Sequence, residues 1–407
     1  MPNNRRNYPY LIFKIALISL IAVLPWSRAL TNIFLGLLLV SAFSEVFVNK
    51  TKISWNVYFV CLCLLVLFCL LDAIRAESLS DWFSYFNIKF PLVLYAFVIV
   101  VFKNKISSQF IKNVSIIFSV AITSATIASS LNYFLNYSEL NALVLQSKPI
   151  PIMGEIHHIT FSVYCAFTVI VSAYYAYNFK IKWLWIFTFI NLIGLHILAA
   201  RTGLVGFYFA CMILGVVYIL KHKPKIKYLA VSLAMICILP IIAFYGISSF
   251  HNRILNSWED IKVIWHQKDA NYQSMGMRIE ASKTAMDLVK KYPLTGVGCN
   301  NIKKAMSIQY EENNTNLFIE NRILPHNQFV IEAAIHGIIG LAVLLLFFLF
   351  PLFNNFLQLP TLFVAFWSIV LFACMFECLF DRQHGVILVS LFWFFYYNFK
   401  PAEEKIE

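Results

Sequence analysis

The feature that most constrains this chain is a succession of near-continuous apolar runs, each about 20 residues long, the length at which an α-helix crosses a hydrocarbon layer. ISWNVYFVCLCLLVLFCLLD and PTLFVAFWSIVLFACMFEC are examples. Strands of a membrane barrel would instead alternate in polarity over about 10 residues. Sixty per cent of the residues are hydrophobic and only 13% are charged, with a mean hydropathy of +0.73. A soluble fold has too little polar surface to cover so much apolar material. The chain therefore reads as an all-α polytopic membrane protein. Apolar windows place about twelve spans, at roughly 10–25, 28–48, 53–72, 88–102, 113–136, 158–178, 182–199, 202–220, 227–247, 328–353, 360–378 and 386–399.

The formal charge of +12 is distributed along the chain in a pattern. Lys50 and Lys52, then Lys103, Lys105 and Lys112, then Lys180 and Lys182, then Lys221, Lys223, Lys225 and Lys227 fall in alternate connections. Arg5 and Arg6 at the start and Lys400 and Lys405 at the end belong to the same set. The intervening connections hold Arg28, Arg75, Lys148, Arg201 and Arg382. Basic loops stay in the cytoplasm, so both termini are expected there. The basicity is thus a matter of topology, and with no Lys/Arg stripe interleaved with aromatics, nucleic acid is excluded as a partner. The N-terminal segment has the basic start and apolar core of a signal peptide but lacks a small-residue cleavage site, and it reads as an uncleaved first helix. Of nine cysteines, Cys61, Cys63, Cys69, Cys165, Cys211, Cys237, Cys374 and Cys378 fall in apolar runs. No CxxC pair or Cys/His metal spacing is present, so they read as small buried hydrophobes.

The expected organisation is three regions: nine spans in 1–247, a polar insert at 248–327 on the outer face, and three spans with a cytoplasmic tail in 328–407. The insert suits short helices, since SWEDIKVIWHQ looks amphipathic and MRIEASKTAMDLVKKY has apolar residues at helical spacing before PLTGVG stops it.

Fixed charges at a membrane face are costly and are usually functional. In HILAARTGLVGFY, Arg201 either caps a helix end and snorkels, or clamps an anion beside the free N–H groups of Thr202 and Gly203. Arg278 sits in the first turn of an insert helix, where a cation opposes the macrodipole. It is either solvated, paired with Glu280 or Asp287, or compensated by a bound anion. His326 in LPHNQF either donates to a helix-end carbonyl or acts as a general base, a role that suits an imidazole titrating near neutrality. Asn327 is placed to cap the helix that follows. GEIHHITFSVY adds Glu155, His157 and His158, and FECLFDRQHGV adds Glu377, Asp381, Arg382 and His384. Both clusters read as supporting a cavity, with Arg382 the natural partner of Glu377. The two adjacent histidines lack a third ligand at helpful spacing, so neither a metal nor another cofactor is expected.

Arginines for an anion and a histidine able to move a proton suit glycosyl transfer from a lipid diphosphate. The set AARTG, MGMRIEASKTAMDLVKKYPLTGVG, LPHNQFVIEAAIHGIIGL and ECLFDRQHGV, in this order and spacing, resembles the O-antigen ligase family. That family shares a fold with the O-antigen polymerases and some protein O-oligosaccharyltransferases. GEIHHITFSVY and ECLFDRQHGV are most similar to members from Bacteroidota. Where the family often has Glu-Gly before the IIGL run, this chain has His336 and Gly337.

The resemblance implies a GT-C-like fold with a large periplasmic loop between helices 9 and 10, and an inverting, metal-independent glycosyltransferase in the bacterial inner membrane. The donor would be a glycan on undecaprenyl diphosphate and the acceptor lipid A–core, as in lipopolysaccharide biosynthesis. Arg201 and Arg278 match the family's diphosphate-binding arginines, and His326 its catalytic histidine. A polymerase extending lipid-linked glycan shares every motif, and a protein O-oligosaccharyltransferase shares the fold. A lipid-linked sugar transporter would instead show inverted halves with broken helices at mid-membrane. Here the halves are unlike and the polar residues gather at one face.

Overall fold

The computed structural model describes residues 7–222, 237–265, 271–353 and 355–398. Arg5, Arg6, Lys223, Lys225, Lys227, Lys400, Lys405 and the start of the window at 227–247 lie outside the described residues. The described chain is built from helices. In order, these are α1 (Tyr8–Val23), α2 (Arg28–Asn49), α3 (Val57–Leu71), α4 (Leu79–Lys89), α5 (Pro91–Phe102), α6 (Ser108–Leu135), α7 (Tyr137–Leu145), α8 (His158–Asn178), α9 (Leu184–Leu198) and α10 (Arg201–His222). An apolar helix, α11, covers Cys237–Gly246. The insert contributes α12 (Ser248–Trp265), α13 (Ser274–Lys291) and α14 (Ile302–Glu312). The return to the membrane is α15 (Gln328–Phe353), then α16 (Thr361–Phe376), α17 (Gln383–Ile387), a π turn and α18 (Trp393–Asn398).

Seven helical segments among the described residues are long and apolar enough to cross a membrane, and α1, α9, α11 and α16 are shorter apolar helices. The chain is an all-α polytopic membrane protein. The largest departure from an expected boundary among the described residues is in the fourth window. The window at 88–102 begins too late, because helix already starts at Leu79 and passes through Phe90 into α5. Asp81 and Lys89 hid it from a hydropathy window, and Pro91 does not break it because proline is tolerated in a first turn.

Helix α8 is at the centre, with 83% of its apolar window buried. Three of its hydroxyls bond within the helix: Ser162 donates to Ile159 O at 2.6 Å, Thr168 to Tyr164 O at 2.8 Å and Ser172 to Thr168 O at 2.6 Å. Small residues let a neighbour approach closely. A Cβ on Gly203 of α10 would collide with Ser162.

One of the places where the insert grips the membrane helices is the turn at residues 293–299. Helix α15 is broken at Gly337, with φ 67° and ψ −162°, a region open essentially to glycine alone. The break frees backbone groups that cannot be left unpaired in an apolar layer. The turn supplies the partners. Val297 N donates to Ala334 O at 3.0 Å, Gly298 N to Ile335 O at 2.9 Å, and Pro293 O accepts from Ile338 N at 2.8 Å. Gly337 is therefore a backbone requirement rather than a helix-packing glycine.

Arg75 and Arg201 meet the insert, while Arg28 and Arg382 bond to Glu155 and Glu377 in the loops beside α8 and α16. Arg28 Nε donates to Glu155 O at 2.9 Å and Arg75 Nη2 to Thr295 O at 2.8 Å.

Gly337→Ala is expected to lower stability by about 1–3 kcal/mol for the backbone alone, with more from displacing the Leu294 carbonyl. Gly36→Ala in α2, with nothing near the added carbon, is expected to leave the midpoint unchanged or raised. Thermal unfolding in detergent compares the two.

Candidate active site

A cavity of about 1070 Å³ opens where α8, α10, α12, α13, α15 and α16 converge. Arg201, Arg278, His326, Asn327 and His158 all line it, and so does Arg253. Phe372, Met375 and Phe376, at the end of α16, give it an apolar wall.

Arg201 is presented by an abrupt turn. Helix α9 stops at Ala199, which takes a left-handed conformation, and α10 begins two residues later. The guanidinium Nη1 lies 3.3 Å from Asp260 Oδ2 on α12. The expected anion cradle at this helix start is smaller than the sequence suggested, because Gly203 N already donates to Ser162 Oγ at 3.1 Å.

Arg278 is compensated by neither Glu280 nor Asp287. Its Nη1 donates to Phe376 O, the last residue of α16, at 3.1 Å, and its Nη2 lies 3.9 Å from Glu377 Oε2. A cation that is unfavourable at the start of its own helix is stabilised by the negative end of another. Burial lowers its pKa, and the Arg201 and Arg382 charges act in the same sense against Glu377.

His326 precedes α15 by two residues. Asn327 Oδ1 accepts from Phe329 N at 2.9 Å and from Val330 N at 3.1 Å, which is the expected cap. The loop after α16 is fastened to the same place. Cys378 Sγ donates to Pro325 O at 3.2 Å and Phe380 N to Gln328 Oε1 at 3.0 Å. This sets His326 Nδ1 3.1 Å from Glu377 Oε2, while Arg382 Nη2 donates to Glu377 Oε1 at 3.2 Å. Glu377 is 1% exposed. Burial opposes its ionisation, but the hydrogen bond and charge of His326, with the Arg382 and Arg278 cations, prevail and hold the carboxyl at about 2. A carboxylate on Nδ1 favours the tautomer with its proton there, and leaves the Nε2 lone pair for a substrate.

His158 lines the cavity, whereas His157 stacks beside it with ring centres 4.2 Å apart. Burial, reinforced by the Arg382 cation, pushes the His157 imidazole down to about 4, so it is neutral at physiological pH.

Sequence reading missed Arg253 and Asp260. They lie seven residues apart on one face of α12, and that spacing was the available signal. Arg253 is 8% exposed and donates to Ser147 O at 3.2 Å and Lys148 O at 2.7 Å. No carboxylate lies within 4 Å of it among the described residues. Burial, then the Arg201 charge, pushes its pKa down to about 10. Also missed was a chain of charges behind the site. Lys89 Nζ is 2.6 Å from Asp381 and 3.8 Å from Glu332, and Glu332 meets His336 Nδ1 at 2.5 Å. His336 Nε2 is 3.2 Å from Asp72, within ion-pair range but off the hydrogen-bond direction.

Residues 186–345 match the family model described as O-antigen ligase. This central part of the chain is similar to the O-antigen ligase family. The matched segment takes in Arg201, Arg253, Arg278 and His326, while Glu377 and Arg382 fall beyond it. The match supports chemistry of the O-antigen ligase or polymerase type. A search of the curated proteins finds no match.

Glu377→Gln is expected to lower turnover by about 10²-fold or more, because His326 loses the group that orients it. It also bears on acid stability. The folded carboxyl titrates at about 2, below the ordinary value of about 4.3. The stability it contributes is present above the ordinary value and lost as pH falls toward the folded one. The melting midpoint of the wild type should fall more steeply than that of the variant across that interval.

Proposed function

We propose that this protein is an O-antigen ligase, moving a glycan from undecaprenyl diphosphate to lipid A–core at the periplasmic face of the bacterial inner membrane. One observation carries the reading: an imidazole held by a buried carboxylate shares a cavity with Arg201 and Arg278 at the ends of membrane helices. The lysine distribution supports cytoplasmic termini and a periplasmic cavity. The arrangement of helices and insert is consistent with a GT-C-like architecture of three regions, 1–247, 248–327 and 328–407.

In this mechanism the donor diphosphate lies against Arg201 and Arg278, with its polyprenyl chain toward the apolar wall of α16. His326 Nε2 accepts the proton of the acceptor hydroxyl as that oxygen attacks the sugar C1. The C1–O bond to the diphosphate breaks on the opposite side, which inverts the configuration. The negative charge that develops on the leaving diphosphate is stabilised by guanidinium groups already in position. Glu377 stays ionised and stabilises the imidazolium. Asn327, His157, His158 and Arg382 shape and support the site, and no step is assigned to a metal or cofactor.

The test is transfer in vitro, with purified protein, an undecaprenyl-diphosphate glycan and lipid A–core, with and without EDTA. A product linked to lipid A–core is expected in both conditions, and His326→Ala should lower its rate by about 10²–10⁴-fold. Longer lipid-linked chains formed from donor alone would make the protein a polymerase. Full activity in His326→Ala would remove the base from the mechanism.

A further inference from the structure

Cys299 is the one cysteine of nine that lies outside the apolar runs. It ends the 293–299 turn, and its Sγ is 3.4 Å from that of Cys69, near the end of α3. Both side chains are buried, at 1% and 0% exposure.

The surrounding backbone is already fixed. Cys299 N donates to Asp72 Oδ2 at 2.7 Å, and Trp82 Nε1 donates to Cys69 O at 2.8 Å. Arg75 donates to Gly296 O at 3.1 Å and to Thr295 O at 2.8 Å. These bonds hold α3, the 72–75 turn and the insert turn together whatever the state of the sulfurs. The sulfurs need approach by only about 1.4 Å to reach bonding distance, within the reach of side-chain rotation. The compartment decides whether they do. On the topology proposed above, this end of the bundle faces an oxidising space, where thiols in contact become disulfides.

We propose that Cys69 and Cys299 are joined by a disulfide that staples the insert to α3. The two thiols are oxidised, giving up two protons and two electrons and forming one S–S bond. The electrons pass to the disulfide of a thiol–disulfide oxidant, which is reduced to a dithiol. Exchange takes place as the insert docks during folding, before both sulfurs are buried. The bond links positions 230 residues apart. It secures the turn that pairs the broken backbone of α15, the helix whose approach carries His326. The inference rests on the proposed sidedness of the membrane protein.

The test uses the full chain taken from membranes without reductant, denatured, and treated with N-ethylmaleimide. Seven alkylated cysteines are expected, with Cys69 and Cys299 recovered as one linked peptide, and nine after reduction. Nine alkylated cysteines without reduction, or either residue linked elsewhere, would overturn the proposal. A Glu139→Cys variant in spheroplasts, probed with a membrane-impermeant maleimide, separates the two readings. Labelling from outside together with free Cys69 and Cys299 rejects the disulfide alone. Labelling only after lysis rejects the sidedness, and the disulfide with it.

Discussion

A single buried carboxylate, Glu377, holds the site together. It meets His326 from the approach to α15, Arg382 from its own loop and Arg278 from the insert. A carboxylate at 1% exposure would ordinarily be protonated. Here three partners keep it charged, and they are in turn held by it. Removing any of them would leave a buried charge short of a partner, which costs more than the pair gains by forming. These contacts orient the imidazole and leave Arg201 and Arg278 lining the same cavity.

The approach to α15 is supported from behind by two devices. The break at Gly337 is filled by the 293–299 turn through three backbone hydrogen bonds, so the insert is fixed to the bundle at the level of main chain. Lys89 reaches Asp381, beyond Glu377, and Glu332, beyond His326. Lys89 and Glu332 lie in helices and Asp381 in the loop after α16, and ionised groups buried at a membrane persist only when paired. The loop after α16 and the start of α15 are thereby tied to the same lysine.

Much of the fold was legible because its signal is local. A run of apolar residues of the right length has one physical outcome in a membrane, and lysines mark alternate loops. The start of the fourth span was missed because Asp81 and Lys89 look like loop residues until Asp381 and Glu332, hundreds of residues away, are seen to neutralise Lys89. Arg201, Arg278 and His326 were legible as costly charges at a membrane face. Their convergence was not, since they come from α10, α13 and the approach to α15. Arg253 and Asp260 were passed over because charges on a polar helix look solvated. The sequence shows Arg278 as a cation at the start of a helix, but its partner is the end of α16, which no spacing rule connects to α13.

The central claim is that Arg201 and Arg278 hold a lipid diphosphate beside His326. Electron cryomicroscopy of the full-length protein with undecaprenyl diphosphate would test it most directly. The account expects density for the two phosphates between the Arg201 and Arg278 guanidinium groups, with the polyprenyl chain along Phe372 and Phe376. Density for the diphosphate outside this cavity, with both arginines still paired to Asp260 and Glu377 alone, would contradict it.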